Sequence, residues 1–249
     1  MTDSPVPPSF TLAYVPGVTP GKWVRTWNER LPEVPLSLIG VSAAEAADLV
    51  LDRAADAVLL RLPTGREGLH AIPLYTETTV VVVPKDHPVT VVAEVSVADL
   101  ADDVLLHPLD ETLHWERPPG LPAIERPGST ADAIELVAAG VGLLVVPQSL
   151  ARLHHRRDLT YVPVSDAPQS RVALSWLEGE TTDLMEQFIG IVRGRTVNST
   201  RGRPPEQPKS KRAEPGGRKP AADKATGRNG KRGAGAARGG RRGRPRRRS

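Results

Sequence analysis

The sequence predicts an α/β fold with parallel strands, and three observations predict it. Short apolar runs alternate with stretches whose apolar residues recur at helical spacing. The run Leu143, Leu144, Val145 and Val146 has no polar alternation, the pattern of a strand covered on both faces in a parallel sheet. Several runs end in a Gly/Pro or hydroxyl-bearing turn that opens the next helix, as in strand–helix–strand units with right-handed crossovers.

Residues 1–9 are Pro-rich and polar and read as a loose arm. Phe10–Val15 is a strand, stopped by Pro16 and Gly17. Thr19 precedes Pro20, a good first helical residue, and Trp23, Val24, Trp27 and Leu31 follow on one face. Leu36–Val41 is the next strand. Ser42 with Glu45 forms a capping box, and Ala46, Leu49 and Val50 give the inner face of a second helix. Asp56–Leu62 is a third strand, halted by Pro63.

Ile72–Pro84 is extended for longer than one strand needs and is interrupted by polar Thr76–Thr79, as a segment crossing between two lobes would be. A short capped helix is expected at Ser96–Leu100 and a short strand at Asp103–Leu106. His107–Gly128 is rich in Pro and charge and shows no period. Ser129, Thr130 and Asp132 then open a helix whose inner stripe is Ala133, Leu136 and Val137. Gly140 takes its left-handed end, and Gly142 loosens the turn into the apolar run that ends at Pro147. Another short helix starts at Ser149–Arg152, Leu159–Val164 is extended, and Arg171–Leu177 is a strand returning to the first half. Thr182 caps a last helix with Leu184, Phe188, Ile191 and Val192 on one face.

Charge divides the chain. Residues 201–249 hold 18 lysines and arginines against three acidic residues, whereas residues 1–200 hold 15 against 26. The formal net charge of +4 therefore joins an acidic body to a strongly basic tail. Without cysteine, the chain has no disulfides, thiolate metal sites or cysteine nucleophiles. The N-terminus lacks the basic and apolar regions of a signal peptide, and no apolar run approaches the roughly 18 residues of a membrane span. A cytoplasmic protein with no membrane partner is the expectation.

Several segments, in order, carry a family resemblance: FTLAYVPGVTP at residues 10–20, DAVLLRLP at 56–63, GLHAIPLYTETTVVVVPKDHP at 68–88, VADLAD at 97–102, STADAIELVAAGVGLLVVPQSLAR at 129–152 and RVALSW at 171–176. Over residues 10–195 the chain resembles the effector-binding, or substrate-binding, domain of LysR-type transcriptional regulators. The resemblance implies a periplasmic-binding-protein-like fold of type 2, with two Rossmann-like subdomains joined by two crossover strands and a small-molecule cleft between them. It implies subdomain I at about 10–75 and 165–197 and subdomain II at about 80–162, and composition sets off a tail from 198 to 249. Such regulators begin with a winged helix-turn-helix and a linker helix, whereas this sequence reaches its first strand within ten residues of Met1, so the usual DNA-reading module is expected to be lacking.

In that fold, ligands lie against residues that follow strands and open helices. Carried over by position, the candidates are Val18 and Thr19, Val41 and Ser42, Arg61 and Leu62, and Ser129 and Thr130, with Thr76 and Glu77 on the first crossover. Free N–H groups and the helix dipole at Ser129 and Thr130 could seat a carboxylate; alternatively these residues only cap their own helix. Arg61 either pairs with a ligand carboxylate bidentately or is a partly exposed strand-end charge. The implied partner is a small, carboxylate-bearing effector, closing the lobes by hinge motion. A homodimer is implied by resemblance alone.

The tail is dominated by Gly, Pro, Ala, Arg and Lys and lacks the large apolar residues of a core, so it is expected to be disordered. Arg-Gly-Arg-Pro occurs twice, at Arg201, Gly202, Arg203 and Pro204 and at Arg242, Gly243, Arg244 and Pro245, the second continuing into Arg246, Arg247 and Arg248. This resembles the AT-hook core, in which glycine lets the backbone reach the floor of a narrow A·T minor groove while guanidiniums enter its negative potential. A generic polycation that binds DNA or RNA is the plainer reading. The tail is also long enough to fold back on the acidic body, which would make it autoinhibitory.

Adjacent His154 and His155, followed by Arg156 and Arg157, cannot both face one metal from a helix, and His107 and His114 lack carboxylates at metal-ligand spacing. No Walker loop, dinucleotide fingerprint or nucleophile elbow occurs, and nothing orders a catalytic triad. No cofactor, metal or catalytic residue is therefore expected. Two function classes remain: a ligand-sensing transcriptional regulator or co-regulator that reaches nucleic acid through its tail, and a stand-alone small-molecule-binding or nucleoid-associated architectural protein.

Overall fold

The structure, a computed structural model, describes residues 7–63, 67–179 and 181–195. The basic tail and both Arg-Gly-Arg-Pro motifs lie outside the described residues.

The first lobe alternates as the sequence does: β1 (Phe10–Tyr14), α1 (Gly21–Arg30), β2 (Leu36–Gly40), α2 (Ala46–Leu51), β3 (Ala57–Leu62) and β4 (Leu69–Thr76). β10 (Arg171–Leu177) returns to it, followed by α5 (Asp183–Val192). The strand order is β2-β1-β3-β10-β4, with β1 parallel to β2 and β3, and β10 antiparallel to β3 and β4. Helical spacing turns Trp23 and Trp27 of α1 inward. Phe10, Trp27 and Phe188 then meet with ring centroids 4.8 to 5.9 Å apart and fasten α1 and α5 to the sheet. Thr182 caps α5, its Oγ1 accepting from Met185 N–H at 3.2 Å.

α2 begins later than its capping box suggests. Ser42 Oγ donates to Glu45 at 2.6 Å, and Glu45 N–H donates back to Ser42 Oγ at 3.3 Å, in a turn that precedes the helix. Ala46, Ala47 and Val50 make its buried face, with Leu49 only half-buried.

The second lobe is built on β5 (Thr79–Pro84), β6 (Val104–Leu105), β7 (Leu121–Pro122), α3 (Thr130–Ala138), β8 (Leu144–Pro147), α4 (Gln148–Leu153) and β9 (Leu159–Pro163). β5 is central in the order β8-β5-β9. Its alternate residues feed two cores: Val80 and Val82 pack with α3 and α4, and Val81 and Val83 with Leu100, Leu105 and Val162. The double coverage expected of the apolar run is present, but its parallel direction is not. β8 runs antiparallel to β5, and among the described residues the run's parallel pairing is a single isolated bridge, Leu143 to Leu105. An unbroken apolar run reports burial on both faces, and burial carries no information about strand direction.

Ser129 Oγ accepts from Asp132 N–H and caps α3, and Gly140 ends it at φ +74°. Gly142 does more than loosen the turn. A Cβ there would lie 2.6 Å from the Val104 carbonyl oxygen, so the glycine lets the chain entering β8 pass close to β6.

Candidate functional site

The chain crosses between the lobes twice, at Glu77 and Thr78 between β4 and β5 and at residues 164–170 between β9 and β10. The two crossings are bonded to each other. Glu77 N–H donates to the Ser170 carbonyl at 2.8 Å, and Thr79 Oγ1 to the Pro168 carbonyl at 2.7 Å. Beside them opens a cavity of 820 Å³, walled by both lobes. Lobe I gives Tyr14, the loop from Pro16 to Thr19, and Lys22 and Trp23 of α1; lobe II gives Gln148, Ser149, Arg152 and Leu153 of α4; Tyr75–Thr78 supply the crossing.

At the cavity's base Glu77 is buried and holds the lobes in register. Arg61, at the end of β3, reaches it through Nε at 2.8 Å and Nη2 at 3.3 Å. Ser170 Oγ donates to the same carboxylate at 2.7 Å, and Ser149 Oγ donates to its other oxygen. Arg61 further donates through Nη1 to the Pro16 carbonyl at 2.9 Å and through Nη2 to Ser149 Oγ at 3.1 Å. One ion pair thus ties a lobe I strand end, a lobe I loop, both crossings and the start of α4.

Burial of Glu77 raises its carboxyl pKa, but the hydrogen bonds and charge of Arg61, with the two serine hydroxyls, outweigh it and hold the group below the usual carboxylate range. Tyr75 is pushed up, first by burial and then by the Glu77 charge, against the opposing pull of Arg61. Gly17, at φ +83°, lets the loop press onto this network, since a Cβ would sit 2.8 Å from Ser149 Oγ.

Of the residues the sequence singles out, Val18, Thr19 and Thr76 line the cavity. Arg61 is neither a free ligand partner nor a partly exposed charge: its side chain is 7% exposed and its fork is closed on Glu77. Leu62, Val41 and Ser42 are not part of the cavity wall. Ser42 is engaged by Glu45, and Val41 N–H donates to the Tyr14 carbonyl. Ser129 and Thr130 are also outside that wall. The start of α3 does hold a carboxylate, but the chain supplies it: Asp110 Oδ1 accepts from Thr130 N–H at 2.6 Å and from Thr130 Oγ1 at 2.9 Å.

Tyr14, Lys22, Trp23, Gln148, Ser149 and Arg152 also line the cavity but are not among the candidates. Gln148 and Ser149 follow a strand and open a helix, so the positional rule that selects Thr19 selects them too. His107 does find a carboxylate, Glu111, with Oε1 3.1 Å from Nδ1, and Glu111 also accepts from Trp115 Nε1 at 2.8 Å. The Glu111 hydrogen bond raises the His107 pKa, burial opposing it. Among the described residues no group of three or more metal-ligating side chains comes together.

Two lobes, a double crossing between them and a cleft beside it define a periplasmic-binding-protein-like fold of type 2. A sequence model described as the LysR substrate binding domain matches residues 7–196, and the chain belongs to that family, the ligand-binding part of LysR-type transcriptional regulators. A probable hydrogen peroxide-inducible genes activator of Mycobacterium leprae (strain TN) is 30% identical over 183 residues, which is 69% of this chain and 59% of the relative. The HTH-type transcriptional regulator AlsR of Bacillus subtilis (strain 168) is 26% identical over 201 residues, 74% of this chain and 62% of that one. The chain thus spans about three fifths of the length of these relatives. The fold is shared with a C206 mutant of Corynebacterium glutamicum OxyR, at TM-score 0.63 and 24% identity over 78% of this chain and 65% of that one. It is shared too with the BenM effector binding domain bound to benzoate, at TM-score 0.62 and 19% identity over 76% of this chain and 92% of that one. Among the described residues no helix is long and apolar enough to cross a membrane.

Proposed function

We propose that this protein is a cytoplasmic, nucleoid-associated transcriptional regulator or co-regulator, without enzymatic activity, that binds a small carboxylate-bearing metabolite between its lobes and nucleic acid through residues 198–249. The observation that carries the reading is the cavity at the crossings, where Thr19, Thr76 and Thr78 offer hydroxyls and Lys22 and Arg152 offer charge. The effector of BenM is benzoate, a small carboxylate, which supports the same ligand chemistry here. This chain has no cysteine, so a response to peroxide through thiol oxidation is not part of the reading.

The experiment is a DNA-binding titration of the full chain and of a chain ending at residue 197, at 50 and 200 mM salt, with and without a pool of small carboxylates. If the tail contacts six to ten phosphates, the affinity of the full chain falls roughly a thousandfold or more across that salt range. The truncated chain should lose binding, and the carboxylates should shift the affinity of the full chain. Equal DNA affinity in the two chains would remove the tail from the account. Tail-dependent binding indifferent to every carboxylate would favour the architectural reading instead.

A further inference from the structure

Among the described residues, the cleft carries more positive charge than its neighbours neutralise. Glu77 and Arg61 cancel at its base, which leaves Lys22 and Arg152 as the charges on the wall. They stand on opposite sides: Lys22 is in the first turn of α1 on lobe I, and Arg152 in the last turn of α4 on lobe II. Both are exposed, and among the described residues neither has a carboxylate within 4.0 Å. Each has a neutral partner that positions it without quenching its charge. The Lys22 ammonium lies 4.5 Å from the centroid of the Trp23 ring, and Arg152 Nε donates to the Tyr161 hydroxyl at 3.2 Å.

We infer that the ligand is a dicarboxylate whose two charged ends are shared between the lobes, one at Lys22 and one at Arg152. This rests on the carboxylate reading of the cleft and narrows it. A monocarboxylate answers one cation and leaves the other facing it unmatched across the cleft. A dicarboxylate answers both and joins α1 to α4, so its second charge acts on lobe closure as well as on affinity. Arg61 does not compete for either end, because withdrawing it from Glu77 would strand a buried carboxylate.

The test compares each of glutarate, adipate and terephthalate with its own monomethyl ester, a pair of nearly equal shape that differs by one charge. Calorimetric titration into the full chain is repeated with Lys22→Gln and Arg152→Gln. Both positions are exposed, so the variants fold, and all three proteins keep the same basic tail. In the wild type at least one diacid should bind roughly 2- to 5-fold more tightly than its ester, the worth of one solvent-exposed ion pair. Each substitution should bring that ratio close to one. Equal binding of diacid and ester, or a ratio that survives either substitution, overturns the dicarboxylate inference alone. Absence of binding by every diacid and every ester overturns the carboxylate reading of the cleft as well.

Discussion

Removing both members of the Arg61–Glu77 pair should cost less than the two single losses added together. The side chains are 7% and 4% exposed, so Glu77→Leu leaves an almost fully buried guanidinium without its counter-charge, and Arg61→Met does the same to the carboxylate. Stranding one member of such a pair costs about 3–5 kcal/mol. At about 2–4 °C per kcal/mol for a body of this size, each single variant should melt roughly 6–20 °C lower. The double variant buries no charge and leaves only the hydroxyls of Ser149 and Ser170 and the Pro16 carbonyl short of partners, at about 1–3 kcal/mol each before solvent reaches them. It should therefore be more stable than the sum of the singles predicts, with a coupling of about 2 kcal/mol at the middle of these ranges. Urea unfolding followed by tryptophan fluorescence reads all three, since Trp23, Trp27 and Trp176 lie in lobe I and Trp115 in lobe II. The acid limb gives a second check. The folded carboxyl of Glu77 titrates below its ordinary value, so its stabilisation is present above the unfolded value of about 4.3 and fades as pH falls through the folded one. The gap between wild type and Glu77→Leu should narrow below about pH 4. Additive singles, or a gap that widens in acid, would refute the reasoning.

Three further outcomes follow from the same geometry. The pKa of His107 is raised by Glu111, so the stability it confers is present below the unfolded value of about 6.5 and is lost as pH rises through the folded one. The advantage of wild type over His107→Gln in urea melts should accordingly shrink as pH rises above about 6.5. Asp110→Ala removes the acceptor of both Thr130 donors and should cost about 1–3 kcal/mol, a melting shift of roughly 2–12 °C by differential scanning fluorimetry. Gly17→Ala places a side chain at φ +83° and a Cβ 2.8 Å from Ser149 Oγ, so it should lose at least about 1–2 kcal/mol of stability and also weaken carboxylate binding in a calorimetric titration.

Local periodicity made most elements legible. The inward stripe of Trp23 and Trp27, the Ser129 and Thr182 caps and the left-handed Gly140 each depend on residues within one or two turns of one another, and they stand where their spacing puts them. The return of Arg171–Leu177 to the first sheet was legible as well. What escaped depends on distance along the chain. Arg61 and Glu77 are 16 residues apart, Thr130 and Asp110 are 20 apart, and Arg61 and Ser149 are 88 apart. No period links such pairs, so Arg61 reads as unmatched and the start of α3 as vacant until the fold brings their partners in. The direction of β8 was hidden for a different reason: a residue covered on both faces has the same composition in a parallel or an antiparallel neighbourhood.

The placement of charge in the cleft divides the work between two kinds of group. The pair at the base is desolvated and fully bonded, so an incoming anion gains nothing there without first stranding Glu77; its contribution is geometric. The cations at the wall remain in water, and a ligand reaches them at little desolvation cost. Between the two lies Ser149, a lobe II residue whose hydroxyl donates to Glu77 and accepts from Arg61 of lobe I. Relative rotation of the lobes must lengthen those contacts, whereas Ser170 and Glu77 belong to the crossings themselves and move little. The lobe equilibrium is therefore weighted by the Ser149 hydrogen bonds, about 1–3 kcal/mol, which is within the 5- to 150-fold range that differential ligand binding shifts in coupled systems. Ser149→Ala should alter how readily the lobes rotate while leaving the Arg61–Glu77 pair closed. Its signature is a changed ligand affinity with a melting shift of no more than roughly 2–12 °C, against roughly 6–20 °C when either member of the ion pair is lost alone.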